Sequence, residues 1–284
     1  METKEDILIG FLEQWVRDFL EKYEKGKREA LHKIIELLSY ENEDLSFVEF
    51  LVKVGKPIVK PLIEALAVCR NQASLPLIKA LGEIGDSQAI YIIAKKLKDK
   101  DWRIRSEAAL ALGKIKHPNA VKVLIQALKD GNFAVRRNAA QALGEIKSKE
   151  ATNALIKALG DNDWQVRSTA AWALGEIKDP EAVIPLIKRL KDRDREVVIK
   201  TIDALKNIKD PRATQALVEI LTEKGEIRYK AIWALGEIKD PTAEEALTAA
   251  LKDPDWRVQK KAEWALKRIT GEEEEEKREP DIEL

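Results

Sequence analysis

Residues 161–190 read DNDWQVRSTAAWALGEIKDPEAVIPLIKRL. In the second half of that stretch, Asp179-Pro180-Glu181 has the form of a helix start, with Asp at the cap and Pro at the first helical position. Val183, Leu186, Ile187 and Leu190 then follow at helical spacing, and the polar turn Lys191-Asp192-Arg193-Asp194 leads into the next helix. Asp210-Pro211 and Asp240-Pro241 repeat the start signal. No alternating strand pattern competes with this reading anywhere in the chain. The unit is therefore helix, turn, helix, and the fold class is all-α.

The unit recurs. Gly82, Gly113, Gly144 and Gly175 are spaced 31 apart within the segment Ala-Leu-Gly-(Glu/Lys)-Ile, and the series runs on through Lys206, Gly236 and Lys267. A leucine keeps step before each marker, at Leu66, Leu97, Leu128, Leu159, Leu190, Leu221 and Leu251. Seven units over 56–271 are clear, and a degenerate eighth covers 27–55. An array of this kind escapes the size limit of a single core, because each unit needs only its neighbours.

The segments DKDWRIRSEAALALGKI and GDNDWQVRSTAAWALGEI, with the Asp-Pro starts, closely resemble the short HEAT-like repeats of the phycobilisome-lyase type. The resemblance implies an α-solenoid, a right-handed superhelix of seven to eight paired-helix repeats. It departs from the pattern at 191–228, where Val198 stands for Arg, Thr201-Ile202 for Ala-Ala and Lys206 for Gly, and the next turn is one residue short.

Composition narrows the function. Lys+Arg and Asp+Glu are both 50, which argues against a general nucleic-acid or anionic-membrane binder. The single cysteine, Cys69, reads as a small buried hydrophobe and fits a reducing compartment, so the expected location is cytoplasmic. Abundant charge, at 35% of residues, with scarce Cys and Met resembles heat-adapted proteins. Residues 1–26 form an amphipathic helix with Leu8, Phe11, Leu12, Trp15, Phe19 and Tyr23 on one face, read as a cap on the first repeat. Residues 272–284 read as an acidic tail expected to be disordered, which could fold back over Lys260, Lys261, Lys267 and Arg268.

A wheel of the second helix places Ile104, Ala108, Ala111, Leu112 and Ile115 toward its own first helix, with Ala109 and Gly113 toward a neighbouring unit. Between these edges runs a mostly polar stripe, expected to line the concave side: Arg103, Glu107, Leu110 and Lys114 in one unit. Its equivalents include Gln165/Thr169/Trp172/Glu176, Glu226/Lys230/Trp233/Glu237 and Arg257/Lys261/Trp264/Arg268. The stripe varies between units while the packing positions do not, which marks it as the place for specificity. The partner-binding candidates are Trp172, Trp233, Trp264, Leu110, Arg103, Glu107, Thr169, Lys230, Arg257 and Lys261. Trp102, Phe133, Trp164 and Trp256 recur in the first turn of the second helix and read as inter-repeat packing. Arg105, Arg136, Arg167 and Arg228 read as a structural ladder, paired with Asp101, Asn132 or Asp163 four residues earlier.

Nothing nominates a catalytic centre. Only His32 and His117 are present, there is no His-Glu pair of the kind the HEAT-like di-iron hydroxylases need, and no zinc spacing or phosphate-binding loop occurs. His117 precedes Pro118 and reads as a helix cap. No cofactor is expected. The resulting expectation is a non-catalytic scaffold that binds a protein or peptide on the second-helix stripe. A bilin-chromophore lyase subunit is the alternative that the resemblance brings, and a nucleic-acid-binding HEAT-like protein is a weaker one.

Overall fold

The computed structural model describes residues 14, 17–26, 29, 32–34, 36, 46–69 and 73–272, and among them every regular element is helical. The chain divides into two compact units, residues 1–146 and 147–284. Within each unit, helix pairs stack in sequence order: the second helix of one repeat packs on the second helix of the next and on its own first helix. In the first unit the second helices are Ser74–Ile84, Trp102–Ile115 and Phe133–Ile146. In the second unit they are Trp164–Ile177, Arg195–Ile208, Glu226–Ile238 and Trp256–Thr270. The architecture is an α-solenoid of paired helices.

The ends of the helices explain the period. Each first helix opens with one tight 3-10 turn, such as Pro180–Ala182, before the α-helix Val183–Arg189. Asp179 caps that turn by accepting the Glu181 N–H, and Asp210 and Asp240 do the same for Arg212 and Thr242. His117 takes this role in its repeat, with Nδ1 accepting the Asn119 N–H at 3.2 Å. The loop before most second helices carries Asp-X-Asp or Asp-X-Asn. Its first Asp closes a turn and its second side chain caps the helix, as Asp161 does for Asp163 N–H and Asp163 for Gln165 N–H. At the other end, Lys116, Lys147, Lys178, Lys209 and Lys239 adopt left-handed backbone with φ between 53° and 60°. Glycine would meet that conformation without steric cost, so each lysine carries strain of about 1 kcal/mol, offset in part by a cation at the helix C-terminus.

Packing between repeats depends on small residues at the marker position. A Cβ added to Gly82 would lie 2.7 Å from Ala111 Cα, and one on Gly113 would lie 2.8 Å from Ala142 Cα. Gly175 meets Ala204 and Gly236 meets Ala265 in the same way. Ala111, assigned by the wheel to its own first helix, therefore abuts the preceding repeat instead. Ile104, Ala108, Leu112 and Ile115 are buried as expected of a packing face, and so is Cys69. Of the N-terminal face, Phe19 and Tyr23 are buried and stacked, and Tyr23 adjoins Glu64 on the helix Val59–Val68. Leu8, Phe11, Leu12 and Trp15 lie outside the described residues, as does the tail beyond Glu272.

Candidate functional site

The arginine ladder forms, with partners other than those the spacing suggested. Arg167 reaches across to the loop of the next repeat, where Nε and Nη2 bond both carboxylate oxygens of Asp192 at 2.9 and 2.8 Å. Its Nη1 donates to the Asp161 and Asn162 carbonyls of its own loop. Arg105 repeats the arrangement with Asp130 and the Asp99 and Lys100 carbonyls, and Arg228 with Asp253 and the Glu223 carbonyl. Arg136 donates to the Asp130 and Gly131 carbonyls. The aspartate four residues earlier is not the partner because it is the helix cap, committed to backbone N–H groups. Each rung thus fastens two loops in one fork. Burial alone would raise the Asp192 carboxyl, but the hydrogen bonds from Arg167 and the Asp194 N–H outweigh it and hold the group below the usual carboxylate range. Asp130 behaves likewise beside Arg105.

Along the stripe, Glu107, Leu110, Thr169, Trp172, Lys230, Trp233, Arg257 and Trp264 are half-buried and Arg103 is exposed. Arg103 and Arg257 lean back onto their helix caps, Asp101 and Asp255. Other charges pair across the seams: Lys230 with Asp203 at 3.2 Å, Lys209 and Arg268 with Glu237 at 2.6 and 3.2 Å, Lys147 with Glu176 at 2.7 Å, and Lys114 with Glu83. The stripe is a largely self-neutralised surface. Burial outweighs the Lys209 and Arg268 interactions nowhere at Glu237, whose carboxyl is held below its ordinary value by them. Glu107 goes the other way: burial, with Glu83 nearby, raises its carboxyl despite Lys114 and Lys79.

Lys261 departs from its expected place. Its side chain is fully buried, with the ammonium 4.8 to 4.9 Å from the ring centroids of Tyr229, Trp233 and Trp264. Three aromatic faces from two repeats enclose it, so it is packing and not a contact surface. The rings are engaged on further sides: Lys206 lies 3.5 Å from the Trp233 centroid and Arg268 lies 5.1 Å from that of Trp264. The Trp264 indole also crosses the seam, since a Cβ at Gly236 would come within 2.6 Å of its Cζ3. Of the four cations expected to meet the acidic tail, Lys260 is exposed, Lys261 is buried, Lys267 pairs with Glu263 and Arg268 with Glu237.

The first-turn aromatics reverse their expectation as well. Trp102, Phe133, Trp164 and Trp256 are 45%, 43%, 42% and 60% exposed. They occupy the first helical position, and a helical Cβ tilts toward the N-terminus, which carries these rings off the stack. Their position directly after the cap was the available signal. Among the described residues no cluster of three or more His, Cys, Asp and Glu side chains is arranged to hold a metal, and no helix is long and apolar enough to cross a membrane.

The family model for HEAT repeats matches residues 59–132, 121–206, 156–227 and 214–277. No curated protein matches the chain. Among solved structures, an engineered protein is 25% identical with a TM-score of 0.55, covering 85% of this chain and 79% of its own. A chain of the CpcE–CpcF complex of phycocyanin lyase from Nostoc sp. PCC7120 is 25% identical with a TM-score of 0.50, covering 76% and 88%. The Escherichia coli protein YibA, at 24% identity and a TM-score of 0.65 over 94% and 98%, shares the fold. With matched segments running from residue 59 to residue 277 of 284, the chain belongs to the HEAT repeat family.

Proposed function

We propose that the protein is a scaffold that holds a protein or peptide partner on the second-helix stripe. The observation that carries this reading is the contrast between two sets of positions on the same helices. The packing set is nearly invariant from repeat to repeat because the geometry needs it: glycine against alanine, Arg against the next loop's Asp. The stripe is not required by that geometry, and it changes from Arg103/Glu107/Leu110/Lys114 to Gln165/Thr169/Trp172/Glu176 within the array. Half-buried apolar groups among paired charges suit a protein surface better than a phosphate backbone, which needs unopposed cations. The candidates that remain for contact are Arg103, Glu107, Leu110, Thr169, Trp172, Lys230 and Arg257, with the edges of Trp233 and Trp264.

The test is affinity capture from nuclease-treated lysate, with the wild type beside Arg103→Glu, Leu110→Asp and Thr169→Asp in one chain. These side chains are not in the buried packing set, so the variant should keep its helical circular dichroism. A protein recovered by the wild type and lost by the folded variant supports the stripe; equal recovery refutes it. The likeness to a phycocyanin lyase chain favours one second reading, a lyase-type subunit acting on a bilin chromophore. A tetrapyrrole absorption band that follows the protein after mixing with a bilin would support it.

A further inference from the structure

We propose that residues 147–284 contain a built-in hinge, a weak seam at which the repeats of 209–272 part from 147–208 and open as one block. It lies at the junction between the helices Arg195–Ile208 and Glu226–Ile238. Three devices present at the junctions on either side of it, within this unit, are missing there together.

The first is the close approach of backbones. Gly82, Gly113, Gly175 and Gly236 each let the next helix come so near that a Cβ would lie 2.6 to 2.8 Å from its closest atom. At this junction the marker is Lys206, whose long side chain packs on the Trp233 ring of the next helix where the other junctions have glycine. The second is the guanidinium fork. Arg105, Arg167 and Arg228 each bind the following loop's aspartate, whereas Val198 occupies this rung with an apolar, buried side chain. The loop that would supply the acceptor reads Thr222-Glu223-Lys224-Gly225, without the Asp of the other loops. The third is the capped turn. Gly225 stands at the cap with φ 67° and gives no side-chain hydrogen bond, and the helix that follows has 13 residues instead of 14. Donor, acceptor and spacer have changed in concert, as expected of a junction released from the pattern rather than damaged at one point.

Besides buried apolar packing, the seam carries the Lys206–Trp233 contact, a hydrogen bond from Arg212 Nη2 to the Pro180 carbonyl at 2.8 Å, and the ion pairs Lys230–Asp203, Lys209–Glu237 and Lys191–Glu219, with side chains 19% to 80% exposed. Solvated pairs of that kind are weak and salt-sensitive. In a linear array the weakest interface sets where the structure parts. The hinge lies under the stripe itself, with Asp203 and Lys206 on one bank and Lys230 and Trp233 on the other.

Native-state hydrogen exchange at rising urea tests this on the full chain. The hinge predicts that amides of 209–240 and 241–272 open together, in one step, before those of 164–208. Loss of 241–272 ahead of 209–240 would be ordinary fraying from the end, and simultaneous opening of 164–272 would mean no weak seam; either result overturns the proposal. Val198→Arg with Glu223→Asp rebuilds the fork, and exchange of the 209–272 block should slow by about 5- to 30-fold. An unchanged block in this folded variant would also overturn it.

Discussion

Replacing Arg167 by Met removes the most enclosed rung of the ladder while keeping an unbranched apolar stem of similar reach. The Arg167 and Asp192 side chains are only 5% and 4% exposed, and the guanidinium makes four hydrogen bonds, two to Asp192 and two to loop carbonyls. Removing one partner of a buried pair costs about 3–5 kcal/mol, because the other charge stays behind uncompensated. Asp192 would keep the Asp194 N–H at 3.0 Å and Arg189 at 3.5 Å, which places the expected loss near the lower end, about 3 kcal/mol. A repeat array need not unfold in one step, so the assay is local. Hydrogen exchange of amides in 164–208 should accelerate by about a hundredfold. The pH dependence has a fixed sign. Asp192 has a lowered carboxyl in the fold, so its contribution is present above the ordinary carboxylate value and is lost as pH falls through the folded one. The difference between wild type and Arg167→Met must therefore shrink below about pH 4. An effect under about 1 kcal/mol at pH 7, or one that is constant with pH, would refute the rung as an electrostatic lock.

Other substitutions follow from the same geometry. Gly113→Ala sets a methyl 2.8 Å from Ala142 Cα, which cannot yield as a flexible side chain would; overpacking outweighs the gain in helix propensity, and thermal melts should show a net loss of about 1–2 kcal/mol. Lys116→Gly relieves left-handed strain at φ 53° and should stabilise by about 0.5 kcal/mol after the lost cation is counted, read by the same melts. Glu107→Gln should stabilise by less than about 1 kcal/mol at pH 7. Because burial raises the Glu107 carboxyl, the native group opposes folding once ionised, and the benefit of Gln must vanish as pH falls below the ordinary carboxylate value in a urea titration.

Features set by short-range order were legible in the sequence. The 31-residue period, the Asp-Pro starts and the small marker residues are local or strictly repeated, and each has the structural role its chemistry implies. Features set by the stack were harder to read. The partner of Arg105 is 25 residues ahead, and only the offset between repeats brings Asp130 within reach, while the nearer Asp101 is spent on its cap. Lys261 resembles any polar residue of the stripe until Tyr229, Trp233 and Trp264 close around it from two repeats. The exposure of Trp102 and its equivalents follows from their place at the first helical position, where the Cβ tilts toward the N-terminus and away from the turns that pack. The departures at Val198 and Lys206 were visible as letters, but their meaning required the rung and the glycine contact to be seen at the other junctions.

The central claim, that the second-helix stripe is the working surface, is tested most directly by photo-crosslinking. A photoreactive amino acid would be placed at Leu110 or Thr169 on the stripe, and at the exposed Ile184 on a first helix, in otherwise native protein offered to lysate. The account predicts that one and the same protein is captured from positions 110 and 169 and not from 184. Capture from 184 with none from the two stripe positions would contradict it.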